Sequence, residues 1–153
     1  MFEPRASRLY VNKNKVLAMK MKLLRYLLML DAGVLFLLGI ILMVAPRQVE
    51  TAFHFGDLPP AVSYMIGMWG CVFATMALGY ALASTDPVRH VAWIEVGIAR
   101  GALECIFGIV CLARGIVTFQ QGGVGIIVAA LITLAYLALY PRRSDQSAAA
   151  TVQ

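Results

Sequence analysis

Four apolar runs of about twenty residues each dominate the pattern along the chain. Residues 23–45 read "LLRYLLMLDAGVLFLLGIILMVA", and residues 61–83 read "AVSYMIGMWGCVFATMALGYALA" with no charge at all. Residues 91–113 read "VAWIEVGIARGALECIFGIVCLA", and residues 124–140 read "VGIIVAALITLAYLALY". None alternates apolar and polar with a period of two, so none reads as a half-buried strand. About 20 apolar residues in a helix cross the ~30 Å of bilayer hydrocarbon. In lipid every backbone amide needs an internal partner, which a helix supplies and an open strand does not. The pattern therefore predicts an all-α protein: a four-helix transmembrane bundle, up-down-up-down. The helices are expected at about 23–45, 61–83, 91–113 and 122–140, the last beginning among the glycines ahead of its apolar run.

The breaks agree. "APRQVETAFHFGDLPP" separates the first two runs, and Pro59 and Pro60 suit a helix start, where the first amides lack partners anyway. "STDPVRH" separates the second and third, with Ser84, Thr85 or Asp86 available to cap. "RGIVTFQQGG" separates the third and fourth. Connections this short make neighbouring helices antiparallel. The aromatic Phe53 and Phe55 of the first connection are expected at the membrane interface.

Composition strengthens the membrane reading. Of 153 residues, 61% are hydrophobic and 14% charged, and the mean hydropathy is +0.79. A soluble domain carries about a quarter charged residues. The first run has a basic flank, but it is longer than a signal-peptide core and "LMVAPR" is a poor cleavage site, so it reads as a retained helix. The stretch "MKMKLLRYLLML" has the form of a chain start. Residues 1–18 are thus either surplus ahead of a start at Met19 or Met21, or a basic amphipathic arm. The division expected is a basic arm over 1–22, the membrane domain over 23–140, and a tail over 141–153.

Charge sets the orientation. Arg5, Arg8, Lys13, Lys15, Lys20, Lys22 and Arg25 precede the first apolar core, Arg89 lies in the second connection, and Arg142 and Arg143 lie in the tail. On the opposite side stand only Arg47 and Arg114. Loops rich in Lys and Arg stay in the cytoplasm, so both termini are expected there, with the protein in the inner (plasma) membrane. The pI of 9.4 follows from this topology. The basic arm suits anionic headgroups, at ~1 kcal/mol per basic residue, better than nucleic acid.

Three ionisable residues fall deep inside the runs. With a rise of ~1.5 Å per residue, Arg100 lies ~13 Å past Val91, Glu104 ~20 Å past it, and Asp31 ~12 Å past Leu23. Helices one and three run in the same direction, so Asp31 and Arg100 reach nearly the same depth. Glu104 follows Arg100 at the i, i+4 spacing where side chains meet. A lipid-facing charge at the bilayer centre costs roughly 2.5–3.5 kcal/mol or more. The expected arrangement is Arg100 held between Asp31 and Glu104 inside the bundle. Glu95 lies ~140° around the helix from Arg100 and is expected at the interface, near Arg89 or His90. Gly97, Gly101 and Gly108 form a small-residue stripe, and Gly67 and Gly70 another; such stripes let helices approach closely. The charge cluster reads equally as a structural device fixing register and as a proton- or ligand-binding site.

Other chemistry is sparse. Cys71, Cys105 and Cys111 lie within helices without a C-x-x-C and behave as small hydrophobes. His54 and His90 fall on opposite sides of the membrane and cannot share a metal. "GGVG" at 122–125 lacks the preceding strand and following Lys of a phosphate loop. No catalytic constellation, metal site or cofactor is expected, and the chain does not read as an enzyme.

The basic start "KLLRYLL", a glycine-bearing first helix ending "LMVAPR", a short loop, and "DPVRH" between helices two and three resemble the small four-helix bacterial membrane proteins of the DoxX-like kind, over about residues 21–143. Some members resemble accessory subunits of membrane oxidoreductases, which implies a structural or quinone-side role. The function expected is a non-catalytic accessory subunit of a larger membrane complex. Partners would be lipids and other membrane subunits or a second copy. Two alternatives stand beside it: a small proton-coupled transporter working as a homodimer around Asp31, and a lipid- or quinone-binding membrane protein.

Overall fold

A computed structural model describes residues 5–52 and 59–141, with side chains from residue 15 onward and Glu50 excepted. Phe53, His54, Phe55 and the tail basics Arg142 and Arg143 lie outside the described residues. The described residues form five helices and no strands: α1 (Arg5–Val44), α2 (Pro46–Ala52), α3 (Pro60–Thr85), α4 (Val91–Ala113) and α5 (Phe119–Leu139). Four of these helices are long and apolar enough to cross a membrane.

The boundaries have local causes. α1 begins eighteen residues before the apolar run, because the polar stretch ahead of it contains no Gly or Pro to stop a helix. The first connection, expected as a plain break, contains α2: Pro46 ends α1 and opens a new turn at N1, where its missing N–H costs nothing. Pro60 starts α3 in the same way, with Pro59 as its N-cap. α4 has the expected bounds. It ends on Gly115, whose φ of 68° lets the Gly115 N–H reach Leu112 O at 3.1 Å and the Ile116 N–H reach Cys111 O at 3.0 Å, a Schellman closure. α5 starts three residues earlier than expected, because Thr118 and Gln121 form a capping box, the Gln121 side chain accepting the Thr118 N–H at 2.9 Å.

Packing divides the helices into two pairs. α1 packs chiefly on α3, and α4 chiefly on α5. Between α1 and α3 the backbones nearly touch: a Cβ on Gly39 would stand 2.8 Å from Gly70 O and 2.9 Å from Ala74 N. No residue but Gly fits there. Gly70, on the facing helix, is equally confined by Gly39 and Met43, whereas Gly67 meets nothing closer than Leu42 O at 3.9 Å. In the second pair, Gly101 lies against Thr133 and Ala129, and Gly108 against Ile126. The two pairs meet near one end, where Leu24, Leu28, Ala32 and Leu35 of α1 join Ala77, Tyr80 and Ala83 of α3, Ile94 of α4 and Tyr136 of α5. Elsewhere large apolar side chains such as Leu37, Phe107 and Leu131 face outward, each more than three-fifths exposed.

The Gly39 contact is testable. Gly39→Val should lower the stability of the detergent-solubilised protein by about 1–3 kcal/mol through overpacking. Gly33→Ala, whose Cβ meets nothing within 4 Å, should leave it unchanged or raise it by up to about 1 kcal/mol. Equal melting of the two variants would mean that α1 and α3 do not approach at Gly39.

Candidate intramembrane charge site

Asp31 sits in the buried stripe of α1. Leu24, Leu28, Asp31, Ala32 and Leu35 recur at helical spacing, so the face that packs α1 into the bundle carries one carboxylate with it. The Asp31 side chain is 2% exposed. A carboxylate so placed requires partners, and it has two. Arg100 Nη2 of α4 donates to Asp31 Oδ1 at 3.3 Å, and the Tyr136 hydroxyl of α5 donates to Asp31 Oδ2 at 2.9 Å. Both carboxylate oxygens are occupied, by two different helices.

Arg100 is the hinge of the cluster. Its Nε lies 3.5 Å from Glu104 Oε1, one turn on; the charges are within ion-pair range, although the N–H is not directed at the oxygen as a hydrogen bond. Its guanidinium carbon stands 5.5 Å from the centroid of the Tyr80 ring, a cation–π arrangement that adds attraction where water is excluded. Tyr80, fully buried in α3, also meets Trp93 edge-on at 6.0 Å and Tyr136 at 6.3 Å. The site therefore draws on every long helix: Asp31 of α1, Tyr80 of α3, Arg100 and Glu104 of α4, and Tyr136 of α5. Among the described residues, Tyr80 Oη, Arg100 Nε and Arg100 Nη1 are buried without a hydrogen-bond partner.

The sequence-predicted residues distribute clearly. Asp31, Arg100 and Glu104 come together. Within the trio, Asp31 is enclosed and Glu104 is not, its side chain being 45% exposed. Glu95 stays apart. Its partner is not Arg89 or His90 but Tyr140, whose hydroxyl donates to Glu95 Oε1 at 2.6 Å. The Arg89 backbone N–H and the His90 ring instead engage Asp86. Gly97 lies beneath the ring of Tyr136 and the hydroxyl of Tyr80, so the small-residue stripe of α4 makes room for the aromatic part of the site. Tyr80 and Tyr136 were missed by sequence reasoning. Depth gave no signal for Tyr136: it lies four residues from the end of the last run, about half as deep by helical rise as Asp31, which lies eight from the start of the first.

Among the described residues, no three His, Cys, Asp or Glu side chains gather where they could hold a metal ion. Cys71, Cys105 and Cys111 are unpaired thiols, with the Cys105 Sγ directed at Ile126 O at 3.6 Å. An open groove of about 400 Å³ lies at the corner of α1, α2 and α3, with Met43, Tyr64, Met68 and Cys71 in its lining and no charged side chain among the described residues that line it. Its chemistry suits a hydrocarbon chain. The chemistry of the charge site is the neutralisation of Asp31.

Three variants separate the contributions. Arg100→Leu should cost about 3–5 kcal/mol, because it leaves a buried carboxylate uncompensated. Adding Asp31→Asn and Glu104→Gln should return much of that loss. Tyr136→Phe should cost about 1–3 kcal/mol through the lost donor to Asp31. Thermal unfolding in detergent measures all three; identical melting of the single and triple Arg100 variants would dissolve the cluster.

Comparison with family models, curated proteins and solved structures gives no match to this chain.

Proposed function

We propose that this chain is an inner-membrane, non-catalytic accessory subunit of a larger membrane complex, crossing the bilayer four times up-down-up-down with both termini in the cytoplasm. The observation that carries the reading is the double occupancy of the Asp31 carboxylate by Arg100 and Tyr136. A proton-coupled exchanger built around Asp31 needs that carboxylate free to alternate between proton and substrate. Here it is committed to holding three helices together. The outward apolar faces of all four long helices leave large surfaces for lipid and neighbouring chains. The layout resemblance to DoxX-like proteins points the same way.

Contacts support the alternating helix directions. Along α1 and α3, Gly39 meets Ala74, Gly39 and Met43 meet Gly70, and Leu42 approaches Gly67, so advancing on one helix retreats on the other. Gly101 meets Thr133 while Gly108 meets Ile126, the same reversal in α4 and α5. The excess of basic residues on the side of the α3–α4 connection supports its cytoplasmic placement.

Extraction of the tagged protein in mild detergent should bring with it a stoichiometric set of other membrane subunits. Recovery as a clean homodimer that confers substrate export would replace the accessory reading with the transporter. For topology, cysteines placed at Ser7 and Ser147 should label only from the cytoplasm and one at Gln48 only from outside. Same-side labelling of positions 48 and 147 rules out four crossings.

A further inference from the structure

The charge balance of the spans is incomplete. Over residues 26–44, 60–85, 91–113 and 119–139 the sequence contains one basic residue, Arg100. Against it stand Asp31 and Glu104 at depth, with Glu95 near the helix end. Asp31 takes the hydrogen bond from Arg100 and is enclosed. Glu104 is left with an ion-pair contact to a guanidinium already engaged elsewhere, and nearly half its side chain is uncovered. It lies thirteen residues into a 23-residue helix, the middle of the span. Around it on the same side of α4, Val96 is 43%, Leu103 66% and Phe107 71% exposed. The contacts between the helix pairs gather at the other end of α4, where Trp93 lies on Gly79 and Tyr80, so α3 does not cover Glu104.

A half-exposed carboxylate at mid-span, sharing the single cation of its own spans with an enclosed aspartate, calls for a second cation from outside. A second copy does not provide one: every copy has the same surplus of carboxylate and its single Arg100 turned inward to Asp31. Resting on the accessory-subunit reading, we propose that the Val96–Leu103–Glu104–Phe107 face of α4 receives a transmembrane helix of a different polypeptide, carrying a Lys or Arg at the depth of Glu104. The apolar residues supply the packing surface and Glu104 supplies register and partner choice, as polar groups do between membrane helices.

Photo-crosslinking from positions 103 and 107 of the full-length protein in its native membrane tests this, with position 131 of α5 as the control face. The expected product is a crosslinked peptide from another chain's apolar helix, with a Lys or Arg within one turn of the attachment point. Glu104→Gln should lower the yield of that product by about three- to thirtyfold, the range that corresponds to one interhelical polar contact. Glu104→Lys paired with Glu in place of the partner's basic residue should restore it. Crosslinks joining two copies of this chain, crosslinks to lipid alone, a partner helix without a basic residue, or a yield unmoved by Glu104→Gln would each overturn the inference. If a complex co-purifies but crosslinks only from position 131, the accessory reading stands and this assignment fails. If nothing co-purifies, both fail.

Discussion

Everything in this bundle answers to one constraint: an aspartate lies on the inward face of the first long helix, and it has to be neutralised there. Asp31 shares its stripe with Leu24, Leu28 and Leu35, so the helix cannot bury those leucines without burying the carboxylate. An isolated carboxylate in such surroundings costs several kcal/mol even after relaxation. Arg100 and Tyr136 meet that cost from the second helix pair, one to each oxygen. Tyr80 then covers the guanidinium from α3. The direct consequence is geometric. The two hydrogen bonds tie the rotation and relative depth of α1, α4 and α5 to one another.

Stability and specificity divide between different contacts. Buried ion pairs are often no more stabilising than well-packed apolar residues of the same volume, so the strength of the bundle does not come from the Asp31–Arg100 pair. It comes from close approach within each pair, Gly39 on Gly70 and Gly101 on Ala129 and the Thr133 side chain, where the helices come near enough for extensive dispersion contact. In lipid this matters more than apolarity, since an acyl chain satisfies a leucine as well as another helix does. The charge site contributes what apolar packing cannot, a penalty for every wrong register. This separation explains why the bundle tolerates a sparse interface between its pairs: one polar contact of high cost when broken replaces a long apolar one.

The same logic extends to Glu104. Within one turn of α4 the chain places two carboxylate contacts on a single arginine and encloses only one of them. A chain selected merely for its own folding has no use for the second. Its position on an uncovered apolar face connects the internal device to the outside of the bundle.

How much of this was legible beforehand depended on whether the cause was local. The sequence by itself determined four membrane-length helices, the shared depth of Asp31 and Arg100, and the one-turn spacing of Glu104. Hydrocarbon thickness, backbone hydrogen bonding and helical rise act on contiguous residues. It contained the capping box of Thr118 and Gln121 and the restart at Pro46 as well, in two- and one-residue signals that an apolar-run reading passes over. Only the tertiary structure decided that α1 pairs with α3 and α4 with α5, that Gly39 matters and Gly67 does not, that Glu95 belongs to Tyr140, and that Tyr80 and Tyr136 complete the charge site. A tyrosine in an apolar helix looks the same whether its hydroxyl meets lipid or a carboxylate. The one that satisfies Asp31 lies 105 residues away along the chain, and that distance is closed only by the packing of whole helices.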